Sequence, residues 1–175
     1  MNRGLAILPL LALIGFGAVG AVNLQRDKKP SVALSTDRQA PSRIFETMIG
    51  AEPEYDFSKL AADINRPIAI NLFASWCAPC RVEHPLLMQL EQSHPDQLYG
   101  VLYEDASENG RAFLSEFGNP FKAVVLDPIG DGGLDFGLTG VPETFIIGTN
   151  GQILLHVRGV ITPDIAREIS ELLTK

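Results

Sequence analysis

The only two cysteines of the chain, Cys77 and Cys80, stand two residues apart, and their flanks leave few folds open. Ahead of them runs Ile68-Ala69-Ile70-Asn71-Leu72-Phe73, a short and mostly apolar stretch suited to a strand buried on both faces. Behind them, Arg81 to Leu90 follows a helix-like pattern. A strand that delivers a Cys-x-x-Cys pair to the first turn of a helix favours dithiol–disulfide chemistry. Only a thiolate attacks a disulfide, and the unpaired N–H groups and dipole of a helix N-terminus stabilise that charge.

The rest of the chain supplies the other parts of an α/β unit. Ser58 to Ile64 reads as a brief helix with Asp56 or Ser58 as cap, and Asn65-Arg66-Pro67 as the turn into strand 68–73. After a helix over 78–92 come a strand over 98–103, a helix over 107–117 stopped by Gly118, and a strand over 122–126. A glycine-rich stretch through Gly140, including Gly130-Asp131-Gly132-Gly133, reads as loop and turn; its spacing is not that of a dinucleotide fingerprint. Strands over 144–148 and 152–157 flank Asn150-Gly151, a hairpin signal. Thr162 caps a last helix that has Pro163 at its first position and runs to about Leu173. Parallel strands with helical crossovers followed by an antiparallel hairpin predict a thioredoxin-like α/β fold, a mixed sheet flanked by helices.

In that arrangement Cys77 is the expected outermost, attacking cysteine. Cys80, one turn on, is the expected resolving one, and Pro79 costs little because first-turn N–H groups lack an intrahelical partner. The competing use of Cys-x-x-Cys is structural zinc, which needs about four ligands. His84, His94 and His156 are the remaining soft donors, and none stands at a recognised zinc spacing, so no metal is expected. A second element is Gly140-Val141-Pro142-Glu143-Thr144 ahead of a strand. Pro142 cannot donate to the ladder, and its turn is a candidate to face Cys77 and pair with an extended peptide.

From Gly4 to Val22 no charged residue occurs. As a helix this stretch spans roughly 28 Å at 1.5 Å per residue, close to the hydrocarbon thickness of a bilayer. An uncleaved anchor is expected on length, although Ala18-Val19-Gly20 offers a small-x-small signal cleavage site. The predicted organisation is therefore an anchor and flank over 1–29, a polar linker with Pro30 and Pro41 over 30–43, and a thioredoxin-like domain over 44–175. Residues 44–57 are expected to be irregular, with one short strand. Residues 1–29 carry net charge +3, leaving −10 on the remainder of a chain whose total is −7. So acidic a body argues against nucleic-acid binding, which needs basic surface to neutralise phosphate. Arg26, Lys28 and Lys29 after the span oppose export under the positive-inside tendency.

Trp76-Cys77-Ala78-Pro79-Cys80-Arg81-Val82-Glu83-His84-Pro85, the segments Arg111-Ala112-Phe113-Leu114 and Gly118-Asn119-Pro120-Phe121, and Gly140-Val141-Pro142-Glu143-Thr144-Phe145 together resemble the CcmG/DsbE family. The resemblance covers about residues 57–175. It implies a periplasmic domain held at the inner membrane by a single span, which answers the orientation conflict. It also implies a reductant in cytochrome c maturation, acting through a redox-active Cys77–Cys80 disulfide with no other cofactor. The implied client is apocytochrome c, whose haem-binding cysteines are kept reduced directly or through an intermediary thiol protein. The implied electron donor is a membrane carrier of the DsbD/CcdA type. Supporting positions under this resemblance are Trp76, Pro79, Glu83, Val141, Pro142, Glu143 and Thr144. Glu83 and Glu143 are expected on one face near the cysteines, opposing thiolate formation or exchanging protons; the alternative is solvated surface charge. Two other functional readings stay open: a broader reductase or oxidase of exported proteins, and a non-catalytic apocytochrome-binding module.

Overall fold

A computed structural model describes residues 30–34 and 37–175. The expected anchor and flank over 1–29 lie outside the described residues. Eight strands form one sheet: β1 (Ser31–Leu34), β2 (Ile44–Ile49), β3 (Glu54–Asp56), β4 (Ile68–Phe73), β5 (Leu98–Tyr103), β6 (Ala123–Asp127), β7 (Glu143–Ile147) and β8 (Ile153–Arg158). Their order across the sheet is β1-β8-β7-β4-β5-β6-β2-β3. Strands β4, β5 and β6 run parallel, while β7 and β8 on one side and β2 on the other join antiparallel. The mixed sheet is the expected thioredoxin-like arrangement.

Among the described residues five helices flank it: α1 (Phe57–Asp63), α2 (Ala78–Ser93), α3 (Ser107–Phe117), α4 (Asp131–Phe136) and α5 (Pro163–Leu173). Local chemistry sets their ends. The Asp56 carboxylate accepts from the Ser58 N–H at the start of α1, and the Thr162 hydroxyl accepts from the Ile165 N–H at the start of α5. Gly118 ends α3 at φ 93°, a conformation that favours glycine.

Side-chain alternation along β4 divides the core. Ala69 and Phe73 join Leu87, Leu90, Phe113, Ile165 and Ile169 in the cluster under α2, α3 and α5. Ile68, Ile70 and Leu72 join Phe57, Ala61, Phe136 and Phe145 under α1 and α4. Asn71 therefore points toward α2, a placement that matters below.

Three segments differ from expectation. Within the expected linker 30–43, Ser31–Leu34 form an edge strand antiparallel to β8, so the outer edge of the hairpin is covered there. Within 44–57, β2 and β3 form a hairpin of their own, and a bulge lets β2 pair β6 as well. Buried Phe45 and Tyr55 anchor that hairpin on Phe57. In the glycine-rich stretch read as a turn, α4 forms because the Asp127 carboxylate accepts from the N–H groups of Gly132 (3.0 Å) and Gly133 (2.7 Å). Glycine is required at 132, since a Cβ there would lie 2.3 Å from the Phe45 ring.

Candidate active site

Strand β4 ends at Phe73, and the chain turns through Ala74, Ser75 and Trp76 to place Cys77 as the N-cap of α2. Acceptors on the β5–α3 connection hold that turn: Asp105 accepts from the Ser75 N–H at 2.7 Å, and the Glu104 carbonyl accepts from the Trp76 indole at 3.2 Å. The Arg81 guanidinium donates to the Ser75 carbonyl at 2.9 Å. The Cys77 Sγ accepts the Cys80 N–H at 3.1 Å, so the sulfur occupies the capping position that an Asp or Ser oxygen fills elsewhere. Pro79, in the first turn, removes no intrahelical bond.

Cys77 and Cys80 are joined as a disulfide. Both are buried to the same degree, so in this form Cys77 is not the outermost residue expected. The exposed residues around the pair are Trp76, Ala78 and Pro79. Beside Pro79 opens a groove of ≈ 540 Å³, walled by Thr139, Val141, Pro142, Glu143, Arg158 and Gly159 among others. The Val141–Pro142 bond is cis, and the Pro142 carbonyl accepts from the Gly159 N–H at 2.9 Å. The structure thus brings Gly140, Val141, Pro142 and Glu143 to the same groove as Pro79.

Neither candidate glutamate is a solvated surface charge. Glu83 is fully buried on α2, one turn beyond Cys80; Oε1 accepts from the Asn71 amide at 2.8 Å and Oε2 from the Ile161 N–H at 2.8 Å. Burial pushes its carboxyl up to about 7, against these two hydrogen bonds. The Asn71 amide also donates to the Thr144 hydroxyl at 2.9 Å, which gives Thr144 its place in the site. Glu143 is buried too, but its burial is outweighed by hydrogen bonds from His156 (2.5 Å) and from the Thr139 N–H (3.0 Å) and hydroxyl. Its carboxyl is therefore held below the usual value.

The two glutamates do not share a face of the sheet. In the β4–β7 ladder Thr144 stands opposite Asn71 and Glu143 opposite Leu72, and successive residues point to opposite sides. Glu83 consequently meets Asn71 on the α2 side, while Glu143 lies with Phe145 and His156, stacked at 4.0 Å, on the other. Asn71, Thr139 and Arg158 were not singled out from the sequence, and His156 was weighed there only as a zinc donor. A polar residue inside an otherwise apolar strand was the one available signal, for Asn71. Among the described residues no three His, Cys, Asp or Glu side chains gather closely enough to hold a metal ion.

Comparison with known proteins places this geometry. Residues 37–172 match the Redoxin family. The chain is 36% identical over 175 residues to the thiol:disulfide interchange protein HelX of Rhodobacter capsulatus, covering 99% of this chain and 97% of that protein. It is 29% identical to the thiol:disulfide interchange protein DsbE of Escherichia coli K12, covering 96% and 92%. Among solved structures, a thioredoxin family thiol:disulfide interchange protein from Chlorobium tepidum superposes with a TM-score of 0.62 at 22% identity, covering 82% of this chain and all of that one, which speaks to the fold. A helix-capping cysteine pair on a thioredoxin-like sheet, with these relatives along nearly its whole length, makes this chain a member of the redoxins and, within them, of the CcmG/DsbE family of thiol:disulfide oxidoreductases.

Proposed function

We propose that the protein is a reductant of cytochrome c maturation, held at the inner membrane by residues 4–22 with its thioredoxin-like domain in the periplasm. The observation that carries the chemistry is Cys77 Sγ at the helix N-cap, accepting the Cys80 N–H beside the Pro142 groove. Once reduced, a thiolate at that position gains from the same N–H and from the helix dipole. It attacks one sulfur of a client disulfide bound in extended form along Val141 and Pro142. A Cys77–client disulfide forms, and the client's other sulfur leaves as a thiolate. Cys80 then loses its proton and attacks the Cys77 sulfur, releasing the second client thiolate and closing the Cys77–Cys80 disulfide. Two electrons have passed to the client, and a membrane dithiol of the DsbD/CcdA type returns two. Glu83, with its carboxyl near 7 and one turn from Cys80, is suited to take up that proton. The client is apocytochrome c, through its Cys-x-x-Cys-His disulfide, or a thiol protein that serves it.

The test is trapping. Reduced full-length Cys80→Ser protein, mixed with an oxidised Cys-x-x-Cys-His peptide, is expected to accumulate a disulfide-linked adduct at Cys77 visible by mass spectrometry. Absence of the adduct, or equal labelling of a Cys77→Ser/Cys80→Ser control, refutes the proposal.

A further inference from the structure

Arg158 closes β8 at the groove beside Pro79, and it stands apart from every other arginine of the described residues. Arg38 and Arg111 donate to the carbonyls of Phe136 and Met48, Arg66 to Gln97, and Arg81 to Ser75. Arg43 and Arg167 pair with Asp135 and Asp164. Arg158 has no hydrogen-bond or ion-pair partner among the described residues, and its Nε is buried while unpaired. With no protein acceptor committed to it, the guanidinium keeps its terminal donors for an acceptor on a molecule bound in the groove that Arg158 lines.

The neighbourhood narrows what that acceptor is. Among the described residues Glu143 is the only other charged residue of the groove wall, and it stands opposite Arg158 in the ladder. Yet its two carboxylate oxygens are taken by Thr139 and His156, leaving the guanidinium unmatched. The surrounding body is strongly acidic, and repulsion between exposed charges fades within about 8 Å at physiological salt. An acidic group on a client therefore gains only where it comes close to Arg158. A guanidinium offers a planar fork of donors that matches a carboxylate in two parallel bonds, better than it matches one peptide carbonyl.

The geometry points to Arg158 as a specificity-determining residue that binds the carboxylate of an Asp or Glu side chain near the client's disulfide. This rests on the groove being the client site, as proposed above. The residue touches the client and not the reacting sulfurs, so its effect is discrimination between clients.

The test uses reduced full-length protein and synthetic peptides with one internal Cys-x-x-Cys disulfide. A single Glu is moved through the three positions on either side of the cysteines, and each peptide is paired with its Gln counterpart. At one or two positions kcat/KM is expected to favour Glu by about tenfold, the size of one charge-assisted hydrogen-bond contact. Arg158→Gln is expected to bring that ratio to about one, Arg158→Lys to restore part of it, and Arg158→Glu to invert it toward a Lys peptide; thermal melts confirm that each variant is folded. Reduction of all peptides with no Glu/Gln discrimination, or discrimination that survives Arg158→Gln, overturns the assignment alone. Failure to reduce any peptide overturns the reductase reading together with it.

Discussion

Burial of Glu83 makes stability depend on pH in a direction opposite to that of most carboxylates. Its carboxyl titrates at about 7 in the fold, against 4.5 in the unfolded chain. Between those values the folded state holds a proton that the unfolded state has lost, so unfolding free energy falls as pH rises. The stabilisation is complete below about pH 4.5 and is lost as pH climbs through 7. At 1.36 kcal/mol per pKa unit the loss amounts to about 3 kcal/mol. With a urea slope of about 2 kcal/mol per molar, that moves the midpoint by about 1.5 M. His84 and His94 work the other way, because burial holds both below their usual value and their contribution is lost as pH falls through the histidine range. The Glu83 effect is therefore read as the difference between wild type and Glu83→Gln. Urea unfolding of the oxidised protein at pH 5, 6, 7 and 8 measures it by far-ultraviolet circular dichroism. The sole tryptophan, Trp76, is 58% exposed and lies beside the disulfide, which makes its fluorescence a poor reporter. Between pH 5 and 8 about 2.5 kcal/mol of that contribution is lost, so the difference between the two proteins is expected to change by about 1.2 M across that range. A constant difference refutes the raised carboxyl of Glu83 and, with it, the near-neutral titration that suits it to exchange a proton with Cys80.

Two further substitutions probe the supports of the site. His156→Phe keeps a ring against Phe145 but leaves the Glu143 carboxylate short of one hydrogen bond; a loss of about 3 kcal/mol is expected at pH 7. Because Glu143 titrates below its usual value, that penalty shrinks as pH falls through the carboxylate range, and an equal loss at pH 7 and pH 4 speaks against a charged Glu143. Gly132→Ala pushes a methyl group against the buried Phe45 ring and is expected to cost about 2 kcal/mol of overpacking, seen as a lower Tm; no change means that α4 yields.

The elements legible in the sequence were those with local signals. The run 68–73, the Gly118 stop, the Asn150-Gly151 hairpin and the Thr162-Pro163 start all lie where their residues announce them. The β2–β3 hairpin and β1 lacked such signals, because what makes them strands is a partner far along the chain: β6 for the hairpin, β8 for Ser31–Leu34. Helix α4 was hidden for a similar reason. Its glycines read as a turn until Asp127 and the Phe45 ring are known to approach them.

The same division holds at the site. The spacing of Cys77 and Cys80 on a strand-to-helix junction was enough to fix dithiol chemistry as the expectation, since the cap and the first turn of a helix are built from adjacent residues. What surrounds the sulfurs was decided by the tertiary structure. Asn71 meets Glu83 and Thr144, Ile161 meets Glu83, and His156 meets Glu143, across sequence separations from 12 to 78. Of two glutamates that composition describes alike, burial raised one carboxyl to about 7, while hydrogen bonds from His156 and Thr139 outweighed burial and held the other low. Strand alternation, read against the actual register of β4 and β7, placed them on opposite sides of the sheet. A chain's own order sets which residues can cap a helix, but protonation and partners follow from the solvent excluded and the dipoles assembled by the fold, and these exist only once distant segments have packed.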